Sequence, residues 1–260
     1  MTLSSTIKFL SGFDSSFARV CYCAHQLAGK MKVPHSMRTI LRKGVGGRYR
    51  APHSLLNLRP GKWDAWMVHP GYERATHEWL SRRFEGAHRI MFDIGAYCGT
   101  FSLRYRHNFS TIFAFEPMSH HFDALVENIS LNSASHIVTA VNDAVGKSTG
   151  IVRLYIAGDG THTIIPAAGS SIDCSIVTID DFMKDHDLHS AEIDLLKADV
   201  EGAELDVLKG ARSLLQNGAP VLLLEANDIE HDNDLSTYLA QFQYRRMDRL
   251  DQRNLIFSKL

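Results

Sequence analysis

An α/β fold with a mostly parallel central sheet and helices on both faces is predicted by three observations. From residue 89 onward, short apolar runs alternate with amphipathic segments, the rhythm of repeated strand–helix units. The first run ends in Asp93 and passes through a turn holding Gly95 and Gly99 into residues that can start a helix. Acidic residues then stand at successive strand ends: Asp93, Glu116, Asp143, Asp199 with Glu201, and Glu225. Ligands of such sheets bind beyond the carboxyl ends of the strands, so these carboxylates are expected to converge on one.

The expected strands are Arg89–Ile94, Thr111–Phe115, His136–Val141, Val152–Ile156, Cys174–Ile179, Ile193–Ala198, Val221–Glu225 and a last piece near Leu255–Phe257. Between them, helices are expected near Gly99–His107, Met118–Leu131, Ile179–His186, Ala203–Gln216 and Leu235–Phe242. Residues 89–260 thus form the main domain, and residues 1–88 an N-terminal extension that caps the substrate or pairs with a second copy. In the extension, Phe9, Phe13, Phe17, Val20 and Leu27 are spaced for one helical face, with Cys21 and Cys23 as buried thiols on that helix. Glycines and prolines from Gly44 to Gly61 mark a loop, and Ala75–Phe84 a helix entering the first strand. The aromatics Trp63, Trp66 and Tyr72 are expected to pack against the main domain, with lining a pocket beside basic residues as the alternative.

At 260 residues, 45% apolar and 22% charged, the chain has the composition of a soluble globular protein. No apolar run approaches the ~20 residues of a membrane span, and the first residues lack a basic-then-apolar leader. A cytoplasmic location with reduced thiols at Cys21, Cys23, Cys98 and Cys174 is therefore expected. The net charge of −1 hides an asymmetry: residues 1–88 carry +9 and residues 89–260 carry −10. The basic front is expected to dock on the acidic body, with an anionic substrate as the alternative use of its charge.

The ligand follows by elimination. Gly146-Lys-Ser148 lacks the upstream glycine of a phosphate-binding P-loop. The loop Gly95-Ala-Tyr-Cys-Gly99 lacks the middle glycine of a dinucleotide site, and Asp93 beside it would repel a pyrophosphate. A cationic ligand without phosphate suits it, and S-adenosylmethionine is such a ligand. Asp93 and the Gly95–Gly99 backbone are expected at its methionine end. Glu116 offers two acceptor oxygens to a ribose diol. Asn142, Asp143 and Ala144 are expected at the adenine, with Asp143 accepting from its amine.

Several motifs then resemble one family. Asp93-Ile-Gly-Ala-Tyr-Cys-Gly99, Phe115-Glu-Pro117, Glu127-Asn-Ile129 with Leu131-Asn132, and Asp143-Ala-Val-Gly146 look like the FkbM-type S-adenosylmethionine-dependent methyltransferases. So do Thr178-Ile-Asp-Asp181, the run from Asp194 to Glu204, Leu208-Lys-Gly-Ala211 and Leu223-Leu-Glu225. The resemblance covers roughly residues 89–226. It implies a Rossmann-like class I methyltransferase fold and O-methylation of a natural product or glycan. The cofactor-binding set becomes Asp93, Gly95, Ala96, Tyr97, Gly99, Thr100, Phe101, Glu116, Pro117, Asn142, Asp143, Ala144 and Asp199. Tyr97 departs from the family, which usually has a small polar residue there, and is expected to reshape the pocket near the methionine end.

Methyl transfer to a hydroxyl needs alignment and a base. Asp199, Glu201 and Glu225 are the catalytic candidates, and Glu204 is expected to serve the first turn of its helix. Lys197, just before Asp199 on the same strand, is expected to face away from it. Glu225, Asp228 and His231 are hard or borderline donors, but no recognised spacing enforces a metal site and none is expected. His120 and His121 are expected to face solvent, as is His162 on a glycine-bearing loop. Nucleic acid is not an expected partner, since the chain has neither an Asn/Asp-Pro-Pro-Tyr/Phe segment nor a Pro-Cys pair. A catalytically silent binding protein is the remaining alternative, motivated by Tyr97 alone. Acceptor specificity is expected in residues 1–88 and 157–173.

Overall fold

The computed structural model describes residues 3–30, 42–156, 162–163 and 170–259. The side chains of Leu27 and His162, and most of the 157–173 loop expected to shape specificity, lie outside the described residues. Helices α1 (Leu3–Ser11) and α2 (Ser16–Lys30) come first, followed by a hairpin of β1 (Gly47–Arg50) and β2 (Leu55–Leu58). Helices α3 (Asp64–Met67) and α4 (Arg74–Arg83) lead into β3 (His88–Ile94). Next come α5 (Thr100–Tyr105), β4 (Phe109–Phe115), α6 (Ser119–Leu131) and β5 (Val138–Val141). Then follow β6 (Ala144–Val145), β7 (Gly150–Ile156), β8 (His162–Thr163) and β9 (Ser170–Val177). The second half runs α7 (Ile179–Asp185), β10 (Ile193–Ala198), α8 (Glu204–Lys209), α9 (Arg212–Asn217) and β11 (Val221–Glu225). It closes with α10 (Ile229–Ala240), β12 (Tyr244–Leu250) and β13 (Asn254–Lys259).

Seven strands form the main sheet in the order β12-β13-β11-β10-β3-β4-β5. β3, β4, β5, β10 and β11 run parallel, while β13 is antiparallel to both of its neighbours. The parallel strands read as nearly continuous apolar runs because both of their faces are covered. Alternate residues feed two cores. Met91, Leu195 and Leu223 face α4, α5 and α6. Phe92, Leu196 and Leu222 face α7 to α10. The expected doubly covered, mostly parallel sheet is therefore present. Its strand order reverses between β3 and β10, which opens a crevice at their carboxyl ends.

Three details differ from the sequence reading. The expected strands Val152–Ile156 and Cys174–Ile179 leave the main sheet: β7 and β9 pair antiparallel in a separate sheet ordered β6-β9-β7-β8. Only one face of this pair is buried, through Leu154 and Ile176, which fits a half-solvated antiparallel ribbon. The helix expected over Ala203–Gln216 is two helices that break at Gly210, where an added Cβ would meet Gly146 O at 2.0 Å. The edge strand β12 escaped detection because Arg245, Arg246, Asp248 and Arg249 hide its pattern, as charges on edge strands do.

The front also packs differently. Phe9 and Phe13 are buried, but Phe17 and Val20 are exposed. The chain breaks between α1 and α2, where Phe13 bridges Tyr49, so one helical face does not continue across the break. Helix α2 buries Ala18, Cys21 and Tyr22 instead, and Cys23 is exposed. Among the described residues, the ion pairs of the front, Arg59–Asp64 and Arg74–Glu78, stay within it. Asparagines of α6 make the join. Asn132 exchanges hydrogen bonds with Leu55, and Asn128 accepts from Asn57 N at 2.7 Å while donating to Cys98 O.

Asp64 is fully buried and accepts three hydrogen bonds from Arg59, at 2.8 to 2.9 Å. Breaking a buried, hydrogen-bonded ion pair from one side strands the other charge. Asp64→Ala is therefore expected to cost about 3 kcal/mol or more, read as a lowered midpoint in urea unfolding.

Candidate active site

Near the end of strand β3 stands Asp93, whose carboxylate is fully buried. A buried charge must be paired, and the register that sets Lys197 of β10 opposite Asp93 supplies the partner at 3.1 Å. Ser102 of α5 donates to the other oxygen at 2.6 Å. Asp93 consequently borders none of the cavities described below, and is not placed to touch a methionine end. Lys197 also lies 3.7 Å from Asp199. The expectation that it faces away is overturned: the two are two positions apart, and strand side chains two apart share a side. Burial alone would lower the Lys197 pKa, but Asp93, Asp199 and Glu73 outweigh it and raise it above the ordinary lysine value.

The loop after β3 is held against its neighbours by backbone contacts. Gly95 N and Ala96 N donate to Phe115 O at 3.0 and 2.9 Å. Gly95 has φ +79°, and a Cβ there would meet Asp199 O at 2.0 Å, so only glycine fits. Glu116, at the end of β4, accepts from Tyr97 N and Met118 N at 2.9 Å each, one on either oxygen. Each oxygen keeps acceptor capacity for a further donor. Tyr97 sits at φ +55°. Its ring lies under the Arg59 guanidinium at 4.5 Å and edge-on to His121 at 4.3 Å, and its hydroxyl bonds Asp64. The phenol is thus docked into the front. His121, expected in solvent, is buried beside it, whereas His120 is exposed.

At the next strand end, Asp143 accepts from Ser175 of β9. Asn142 turns to Glu116 O at 2.8 Å and Pro117 O at 3.3 Å, bracing the loop.

Beyond β10 and β11 lies a cluster of carboxyl groups. Glu225 pairs with Arg253 at 3.0 Å and shares a hydrogen bond with Asp199. Burial first, then the Asp199 charge, pushes Glu225 up to about 9, against the pull of Arg253. Glu201 stands at φ +56° in the turn. Glu204 opens α8 and accepts from Val200 N at 2.9 Å, and burial raises it to about 7. Asp228 caps α10 through His231 N, and His231 faces Glu204 at 3.3 Å. Among the described residues, no group of three or more His, Cys, Asp or Glu side chains is placed to hold a metal ion.

These strand ends enclose a cleft of about 460 Å³, lined by Gly95, Tyr97, Glu116, Pro117, Asp143, Ala144, Asp199, Glu201 and Glu225. Its size is in the ordinary range for small-molecule sites. Front residues Arg42, Lys62, Trp63, Trp66 and Tyr72 form another wall. The tryptophans therefore border the cleft and stay partly exposed, instead of being buried against the body. A side pocket of about 50 Å³ abuts the cleft across Tyr72, Gly95 and Asp199, and contains Thr100, Phe101, Lys197, Glu73 and Arg104. Gly99 and Asn142 border neither cavity. Glu73, Tyr72 and Lys197 were missed as site residues. The signal for Lys197 was its two-residue spacing from Asp199.

The chain is similar to several known proteins. Residues 93–249 match the Methyltransferase FkbM domain. The chain is 30% identical over 154 residues to Methyltransferase sdnD of Sordaria araneosa, covering 46% of this chain and 60% of that protein. It is 32% identical over 131 residues to Hexuronic acid methyltransferase AglP of Haloferax volcanii, covering 49% and 52%. It therefore spans a little over half the length of these relatives. A crystal structure of Methyltransferase FkbM from Methylobacillus flagellatus aligns with 98% of this chain and 58% of its own, at 17% identity and a TM-score of 0.49.

Two outcomes follow from the geometry. Gly95→Ala, which forces a Cβ onto a backbone oxygen at positive φ, is expected to cost at least about 2 kcal/mol, read as a lowered melting midpoint. Glu225 holds its proton to about pH 9 in the folded chain, but to only about 4.3 when unfolded. Between those values the folded state binds more protons, so stability is full below the lower one and falls as pH rises toward the upper one. Glu204 adds to that fall up to about pH 7. Glu225→Gln is expected to flatten it in denaturation midpoints measured from pH 5 to 9.

Proposed function

The chain belongs to the FkbM methyltransferase family, and on that premise we propose that it is an S-adenosylmethionine-dependent methyltransferase that methylates a hydroxyl of a small molecule or glycan. The observation that carries the reading is the carboxylate-floored cleft at the β3/β10 switch point, where Glu116 and Asp143 stand on successive strand ends around a glycine that admits no side chain. The residues fit the cofactor: the floor carries Glu116, Asp143, Asp199, Glu201 and Glu225, which suit a cationic ligand without phosphate.

When bound, S-adenosylmethionine supplies a methyl group on a sulfonium, open to attack by an oxygen. Glu116 receives the ribose hydroxyls on the acceptor capacity left after Tyr97 N and Met118 N. Asp143, steadied by Ser175, accepts from the adenine amine. Burial, and then the charge of Asp199, raises Glu225 to about 9, so Glu225 keeps its proton at neutral pH. That leaves Asp199 able to take the proton of an acceptor hydroxyl as its oxygen is methylated. Glu225 holds Asp199 in place, and Glu201 on the turn steers the acceptor. The front closes the cleft from above with Trp63, Trp66 and Tyr72. Hexuronic acid is named as what one relative methylates, and an aromatic-lined wall suits the flat face of a sugar ring.

Calorimetry with S-adenosylhomocysteine is the direct test, and absence of any heat of binding would sink the reading. Glu116→Ala is expected to weaken binding about 10- to 100-fold through loss of charge-assisted hydrogen bonds. Asp199→Asn is expected to keep that affinity and lower kcat by about 100-fold or more, seen as loss of methylated product by mass spectrometry.

A further inference from the structure

The amino-acid end of the cofactor carries an ammonium and a carboxylate, and Asp93, the sequence's candidate for that end, is sealed behind Lys197 and Ser102. The side pocket beneath Gly95 and Asp199 offers a different pair of groups. We propose that this pocket is a zwitterion subsite, in which Glu73 of the N-terminal extension pairs the α-ammonium of S-adenosylmethionine and Arg104 of α5 pairs its α-carboxylate. The assignment rests on the cofactor reading above.

Glu73 is placed as a binding group would be. It occupies the position before α4, from which a Ser, Thr, Asp or Asn would cap the helix with its own side chain. Glu73 does not: the cap is made by Asp251, whose carboxylate accepts from Ala75 N at 3.3 Å and Thr76 N at 2.7 Å. The Glu73 side chain is freed into the pocket, where Tyr72 and Asn254 hold it. The backbone there is in the left-handed region at φ +43°, a conformation that non-glycine residues keep mainly where the surroundings enforce it. Burial, then the charge of Asp199, raises the Glu73 pKa, so an arriving cation would relieve an existing cost.

Arg104 is the complementary group. Its guanidinium borders the pocket, is half-buried, and among the described residues makes no hydrogen bond or ion pair. The other basic side chains there are committed or neutral. Lys197 serves Asp93 and Asp199. Burial lowers His77 to about 3 and lowers His53 as well. A planar guanidinium that feels the charge of Glu73 without a hydrogen bond to it is suited to a carboxylate from a ligand.

Truncated cofactors separate this role from a structural one. Calorimetry on the full chain would compare S-adenosylhomocysteine with 5′-methylthioadenosine, which keeps the adenosine and sulfur but lacks the amino-acid end. Glu73→Gln and Arg104→Met are each expected to weaken S-adenosylhomocysteine about 10- to 100-fold and leave 5′-methylthioadenosine unchanged. With decarboxylated S-adenosylmethionine, Glu73→Gln should weaken binding while Arg104→Met should not. Unchanged S-adenosylhomocysteine affinity in either variant would overturn the proposal, and so would a parallel loss for 5′-methylthioadenosine. If the wild-type chain binds none of these compounds, the cofactor reading itself fails and takes the subsite with it.

Discussion

The ion pair between Lys197 and Asp93 is the constraint on which the site depends. Two parallel strands end side by side, each with a charge that the core would not otherwise accept, and the pair resolves both. Ser102 ties the same carboxylate to α5. The loop between β3 and α5 is therefore fixed at both ends before any ligand arrives. Its glycine can then lie directly against the backbone of the next strand, at a separation that excludes a side chain. The shape of the cleft floor is thus a product of electrostatics inside the core.

The N-terminal extension is built into this arrangement. Tyr97, out of keeping with the family, reaches from the loop into the Arg59–Asp64 pair, and Asn128 touches both the extension and the loop carbonyl at Cys98. Phe9, Phe13 and Tyr49 belong to the same core as Met91 and Leu195. Tyr97 thus has a packing role at the join between the extension and the loop. Family motifs in α6, Glu127-Asn-Ile129 and Asn132, serve the join between the two parts.

Much of this was legible in the sequence, and the omissions have physical reasons. The nearly continuous apolar runs of the parallel strands and the acids at their ends are local signals, so the sheet and the cleft floor could be read directly. Phe17 and Val20 misled because a helical face was continued across a break that only the Phe13–Tyr49 contact explains. Asp93 was expected at the methionine end of the ligand because its partner, Lys197, lies about a hundred residues away, on a strand whose register the sequence does not state. The cleft walls from Trp63 to Glu73 were missed for the same reason: residues on a loop-rich segment acquire a role only when that segment docks.

The cap supplied by Asp251 has a consequence for how the protein is made. The carboxylate that closes the first turn of α4 lies 175 residues downstream of Thr76 in the chain. On a ribosome, α4 emerges long before the turn between β12 and β13 that carries Asp251. Until that turn arrives, the free N–H groups of α4 have only the adjacent Glu73 as a local acid. Contacts of such sequence separation form late, because their loop entropy must be overcome first. The first turn of the helix is thus closed only once the outermost strand pair has formed, and Glu73, two residues before Ala75, settles beside that contact.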